Sequence, residues 1–147
     1  MKKKILISHR GNTNGKNLIL ENSPNYVIES IKIGYDVEID VWRKNNIIYL
    51  GHDNPQYEVS EDWLYGLTNK LWIHCKNFEL MSWIINTDLH YFWHENDKLT
   101  LTSKNYLWVY PGNQPILNSI AVLPETYNDD LSKCLGICSD YIKNYND

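Results

Sequence analysis

No apolar run in this chain approaches the length needed to cross a bilayer as a helix, so the sequence predicts no membrane span. Basic residues are also in the minority. Fourteen Lys and Arg stand against 18 Asp and Glu, a formal net charge of -4. That excludes the broad basic face on which non-specific nucleic-acid binding depends, though not a small basic pocket. Cysteine is scarce. Cys75, Cys134 and Cys138 have no metal-ligand spacing and leave one thiol unpaired, which predicts reduced thiols in a cytoplasmic setting. Cys134 and Cys138 read as packing residues rather than a redox pair. "MKKKILIS" opens like a secretory leader, but its apolar run is too short and meets His9 and Arg10 at once, so no signal peptide is expected. Repeats, low-complexity segments and linkers are lacking too, and residues 1–147 read as a single domain.

What is there is strand, with Trp and Tyr in heavy use. Short β-like runs recur from end to end: "KILIS", "YDVEIDVW", "NIIYLG", "KLWIHCK", "HYFWHE", "LTLTS", "YLWVY", "SIAVL" and "LGICS". Helical patterns are few. In "SPNYVIESIKIG", Ser23 stands at the N-cap position, Pro24 opens the helix and Gly34 stops it, with Val27, Ile28 and Ile31 as the buried stripe. "NFELMSWIINT" sets Phe78, Met81, Trp83 and Ile84 roughly on one side, and "EDWLYGL" adds a turn or two. The first half thus alternates strand and helix, as in a parallel βα architecture. The second half has barely room for turns.

Four short stretches carry chemistry. "ILISHRGN" drives an aliphatic strand straight into His9, Arg10 and Gly11. In "YDVEIDVW", alternation puts Asp36, Glu38 and Asp40 on one face and Val37, Ile39 and Val41 on the other. A wet acidic face is the plain reading of that pattern; the sharper one is that Glu38 and Asp40 supply hard oxygen ligands to a divalent cation. "YLGHDN" sets His52 and Asp53 at a second strand end, where Asp53 could fix the imidazole's tautomer. "LWIHCKN" puts Trp72, His74 and Lys76 on one face, where Lys76 is either solvated beyond the strand or paired with an anion.

Taken in order, these motifs resemble the glycerophosphodiester phosphodiesterase family. That family's pattern is matched by His9-Arg10-Gly11, Glu21-Asn22-Ser23, Glu38-Ile39-Asp40, His52-Asp53 and His74-Cys75-Lys76. "YLWVYPGN" is similar to its late Trp-bearing strand and "GICSDYI" to its closing segment. The resemblance is dense over residues 5–80 and sparse but ordered beyond. It implies a compact, trimmed (β/α)8 TIM-type barrel with several outer helices reduced or lost, since a full barrel needs about 250 residues. Bare barrel faces would then offer a surface for homo-oligomers.

The resemblance also implies a metal-dependent hydrolase acting on a small-molecule phosphodiester. His9 and His52 would be the acid–base pair, Arg10 and Lys76 the phosphate clamp, and Trp108 a wall for the substrate's carbon skeleton, although a core Trp fits the sequence as well. Glu38, Asp40 and His74 would hold Mg²⁺ or Ca²⁺. His74 stands where the family has Glu, and imidazole suits Mn²⁺ or Zn²⁺ better. Two alternatives stay open: a non-catalytic phosphate-ester-binding module on the same barrel, and an antiparallel β-rich domain with chance motif matches.

Overall fold

The computed structural model describes residues 3–146, and all nine of the strand-like runs form strands. In chain order these are β1 (Ile5–His9), β2 (Asp36–Lys44), β3 (Ile47–Leu50), β5 (Leu71–Cys75), β6 (Tyr91–Trp93), β7 (Leu99–Leu101), β8 (Leu107–Val109), β9 (Ser119–Val122) and β10 (Gly136–Ser139). A tenth, β4 (Tyr57–Val59), pairs antiparallel with β3 and had no pattern of its own to announce it. Three α-helices accompany them: α1 (Pro24–Ile33), α2 (Glu61–Gly66) and α3 (Phe78–Ile84).

Seven strands lie parallel in the spatial order β6-β5-β2-β1-β10-β9-β8. β7 runs antiparallel on the β8 edge. The sheet curls into a half-barrel, and the expected (β/α)8 TIM-type barrel is not what forms. The physical reason lies in the connections. A parallel crossover ordinarily takes a dozen or more residues and a helix. After β6 the chain supplies instead the strand β7, the loop 110–118, and a 3₁₀ turn at Pro124–Thr126, and it places no α-helix there.

β2 is the keel. Its first residues pair with β1 on one side, its middle with β5 on the other, and its far end, beyond the reach of β1, with β3. The β3–β4 hairpin therefore extends past the end of β1 and carries residues 51–56 over it.

Alternation sorts the core into an outer and an inner layer. Val37, Ile39, Val41, Ile73 and Cys75 point outward beneath the helices, packed with Val27, Leu64, Leu80 and Ile84. The opposite faces turn inward, where Ile7, Trp72, Phe92, Trp108, Ile120, Val122 and Cys138 fill the concave side. Residues from β9 and β10 close a third, smaller cluster against Tyr35 and Ile142. All three thiols are free and buried, and burial pushes Cys75 up to about 12, as inert packing residues require.

Two helix details differ from expectation. Ser23 occupies the N-cap position of α1 without a side-chain cap bond, and α3 buries Leu80 and Ile84 while leaving Phe78 80% exposed. No helix of the described residues is long and apolar enough to cross a membrane.

Candidate active site

Because seven strands share one direction, their C-terminal ends make one rim, and the residues expected to transfer protons, bind phosphate or hold a metal gather toward it. Asp36, on the same face of β2, lies instead at that strand's start, where it accepts from the Trp72 indole N–H at 3.0 Å. His9 ends β1, Glu38 and Asp40 sit on β2, and His74 and Lys76 are at the end of β5. His52 comes in from above on the turn after β3. A cleft of about 410 Å³ runs between them, lined by His9, Arg10, Glu38, His52, His74 and Lys76, with Trp108 in its floor. Trp108 is 2% exposed and packs on Phe92 at 4.7 Å, so it is at once core and cleft lining.

Arg10 holds a left-handed backbone conformation (φ 57°), which costs free energy for a side chain of its size. Two backbone bonds hold it there: its N–H donates to the Glu38 carbonyl at 2.8 Å, and its own carbonyl accepts from Asn22 N–H at 3.0 Å. Gly11 follows at φ 89°, and a Cβ there would lie 2.8 Å from the Tyr26 ring. The guanidinium consequently turns inward. It donates to Glu21 Oε1 at 3.1 Å and lies 3.2 Å from Asp40 Oδ2 and 3.3 Å from His52 Nε2.

His9 is fixed by a residue that the sequence reading did not single out. Its Nδ1 lies 2.8 Å from Asp140 Oδ1, just past β10, and Asn12 donates to the same oxygen at 2.9 Å. Donation to a carboxylate from Nδ1 leaves Nε2 for the cleft, where it stands 3.7 Å from Glu38 Oε1. Burial pulls this imidazole down, but the Asp140 bond and the Glu38 charge outweigh it and hold it above the ordinary histidine value. Asp140 is correspondingly depressed: burial opposes ionisation, and the His9 bond and Asn12 prevail. The signal available beforehand was the "SDYI" that closes the last strand.

Asp40 is wholly buried and anchored on both sides by Asn22, which donates to Oδ2 and accepts from the Asp40 N–H, each at 2.9 Å. Burial disfavours its charge, yet His52, His74 and Arg10 together hold it well below the usual carboxylate range. Glu38 moves the other way, raised by burial and by the Asp40 charge. Asp53, expected to orient His52, is exposed with Oδ1 3.6 Å from His52 Nε2, and a second carboxylate, Asp40 Oδ2, faces Nδ1 at 3.5 Å.

His74 Nε2 lies 3.2 Å from the His94 carbonyl, an obligate acceptor, so Nε2 carries a proton. The ring stacks on Phe92 at 5.2 Å and turns Nδ1 toward the acidic pair, 3.0 Å from Asp40 Oδ1. One ligand atom from each of Glu38, Asp40 and His74 falls within 4.8 Å of the others, and Glu38 Oε1 and Asp40 Oδ1 are buried without a hydrogen-bond partner. The Glu38 oxygen facing His74 Nδ1 is Oε2, at 3.9 Å, while the unpartnered Oε1 lies toward His9. Two adjacent buried carboxylates with unpartnered oxygens beside an imidazole fit a divalent cation. Lys76 is half-buried and forms no ion pair among the described residues, leaving its ammonium for the cleft. His94, stacked on Tyr110 at 3.4 Å, is a further wall of the cleft without a sequence signal.

No family model, curated protein or solved structure matches the chain.

Proposed function

We propose that the protein is a metal-dependent phosphodiesterase acting on glycerophosphodiesters or related small phosphodiesters in the cytoplasm. The observation that carries this reading is the convergence of His9, His52, Arg10 and the Glu38–Asp40–His74 group on one cleft. A phosphodiester resists attack because its anionic oxygens repel the nucleophile, so a site must neutralise charge, position the attacker and protonate the leaving alkoxide. Arg10 and Lys76 neutralise phosphoryl oxygens, Arg10 from a backbone held rigidly for the purpose. His9, with Nδ1 tied to Asp140, exposes Nε2 as one proton-transfer group, and His52 is the other. One takes the proton of the attacking water or neighbouring substrate hydroxyl as the oxygen–phosphorus bond forms; the other gives a proton to the departing alkoxide as its bond breaks. Glu38, Asp40 and His74 would hold the cation (Mg²⁺, Ca²⁺ or Mn²⁺), which supplies Lewis-acid polarisation of the phosphoryl group.

A second reading has its own observation. His74 Nδ1 at 3.0 Å from Asp40 Oδ1 is also ion-pair geometry for an imidazolium, which would take the cation's place and leave a phosphate-ester-binding module without chemistry. Calorimetric titration separates the two. The phosphodiesterase takes up one divalent cation per chain, and Glu38→Gln weakens that uptake at least about tenfold. A chain that binds phosphate esters and no cation is the module.

A further inference from the structure

The loop between β1 and α1 leaves the cleft and returns to it, and at its tip three consecutive aliphatics face solvent. Leu18 is 76% exposed, Ile19 83% and Leu20 44%. Single exposed apolar residues are ordinary, but a run of three is not. The turn is also well built. Asn17 Oδ1 accepts the N–H groups of both Ile19 and Leu20 at 3.0 Å, and the Tyr57 hydroxyl donates to the Ile19 carbonyl. Both ends of the loop belong to the site, since Asn12 and Glu21 bond each other and reach Asp140 and Arg10. The tip is thus held at a fixed place beside the cleft mouth. Phe78, exposed at the same rim after β5, adds a second apolar point.

Charge narrows the occupant. Between Gly11 and Leu20 the loop has no acidic residue and one cation, the exposed Lys16. An aliphatic tip beside a single lysine suits a surface with phosphate groups outside and hydrocarbon within. Three side chains fall far short of the roughly 20–30 residues a side of a stable protein interface, which argues against a second copy of the chain.

We propose that Leu18, Ile19 and Leu20 insert into the headgroup layer of a phospholipid bilayer, and that the phosphodiester entering the cleft is a lipid presented by that bilayer. The substrate half rests on the phosphodiesterase reading above; the docking half does not.

The test is co-sedimentation of the full chain with phosphatidylcholine vesicles, for wild type and for Leu18→Ser/Ile19→Ser, with turnover of a soluble glycerophosphodiester measured alongside. Wild type pellets with the vesicles. The double variant binds at least about tenfold more weakly, as loss of two buried aliphatics implies. It keeps the wild-type thermal midpoint and soluble-diester turnover, and added salt weakens wild-type binding only by the share of the single Lys16, leaving the apolar share in place. Equal pelleting of the two proteins, no pelleting of wild type, or a wild-type dimer that the double variant loses would each overturn the proposal. Vesicle binding lost in the variant, with no diester turned over by wild type, supports the docking surface and sinks the phosphodiesterase reading instead.

Discussion

At the scale of single residues, the site depends on one imidazole held by one carboxylate. His9→Ala and His52→Ala should each lower phosphodiester turnover by at least about 10²-fold, the usual worth of a positioned acid or base, while the chain still folds cooperatively. Activity assays paired with thermal melts check this, and near-normal turnover in either variant removes that histidine from the mechanism. A third histidine serves structure. His90 is 6% exposed, bonds Thr102 at 2.7 Å and packs on Trp72 at 4.1 Å. Burial, with the nearby Lys104, lowers it to about 4. The unfolded chain therefore binds a proton near pH 6.5 that the fold refuses, and stability is lost as pH falls from about 6.5 toward about 4. Between pH 7 and pH 5 that share is about 2 kcal/mol. Urea midpoints at the two pH values should fall further apart in wild type than in His90→Gln, and equal drops would assign the loss to other groups.

At the scale of elements, the length of β2 decides where the chemistry sits. Because β2 outruns β1, β3 can pair with its far end and deliver His52 over the cleft. That delivery turns on Gly51, where a Cβ would come within 2.0 Å of the Asn54 carbonyl oxygen. Gly51→Ala should therefore cost on the order of 1–3 kcal/mol and displace His52, lowering turnover more than it lowers the melting midpoint. A variant with unchanged turnover would show that the turn does not position His52. The alternation of β2 and β5 made Glu38, Asp40 and His74 legible in advance, because period two is enough to assign a face. Asp140 was legible only as part of "GICSDYI"; its role was not, because the contact with His9 spans 131 residues and no local pattern points to such a partner.

At the scale of the molecule, strand content was readable and closure was not. Each β-like run is a local signal, and all nine formed strands; whether the sheet curls shut depends on what the connections contribute. Those after β6 are a strand, a loop and a 3₁₀ turn, so the later strands align in parallel without outer helices, and the barrel expectation fails there. Yet the shared strand direction alone suffices to gather seven C-terminal ends on one rim, which is why the site residues converge although the expected barrel does not form. The most direct test of the resulting account is turnover of a panel of phosphodiesters by the full chain, first stripped with EDTA and then supplied with Mg²⁺, Ca²⁺ or Mn²⁺ in turn. Turnover that disappears on stripping and returns with a divalent cation is the predicted result. Turnover indifferent to stripping, or none on any diester with any cation, would contradict it.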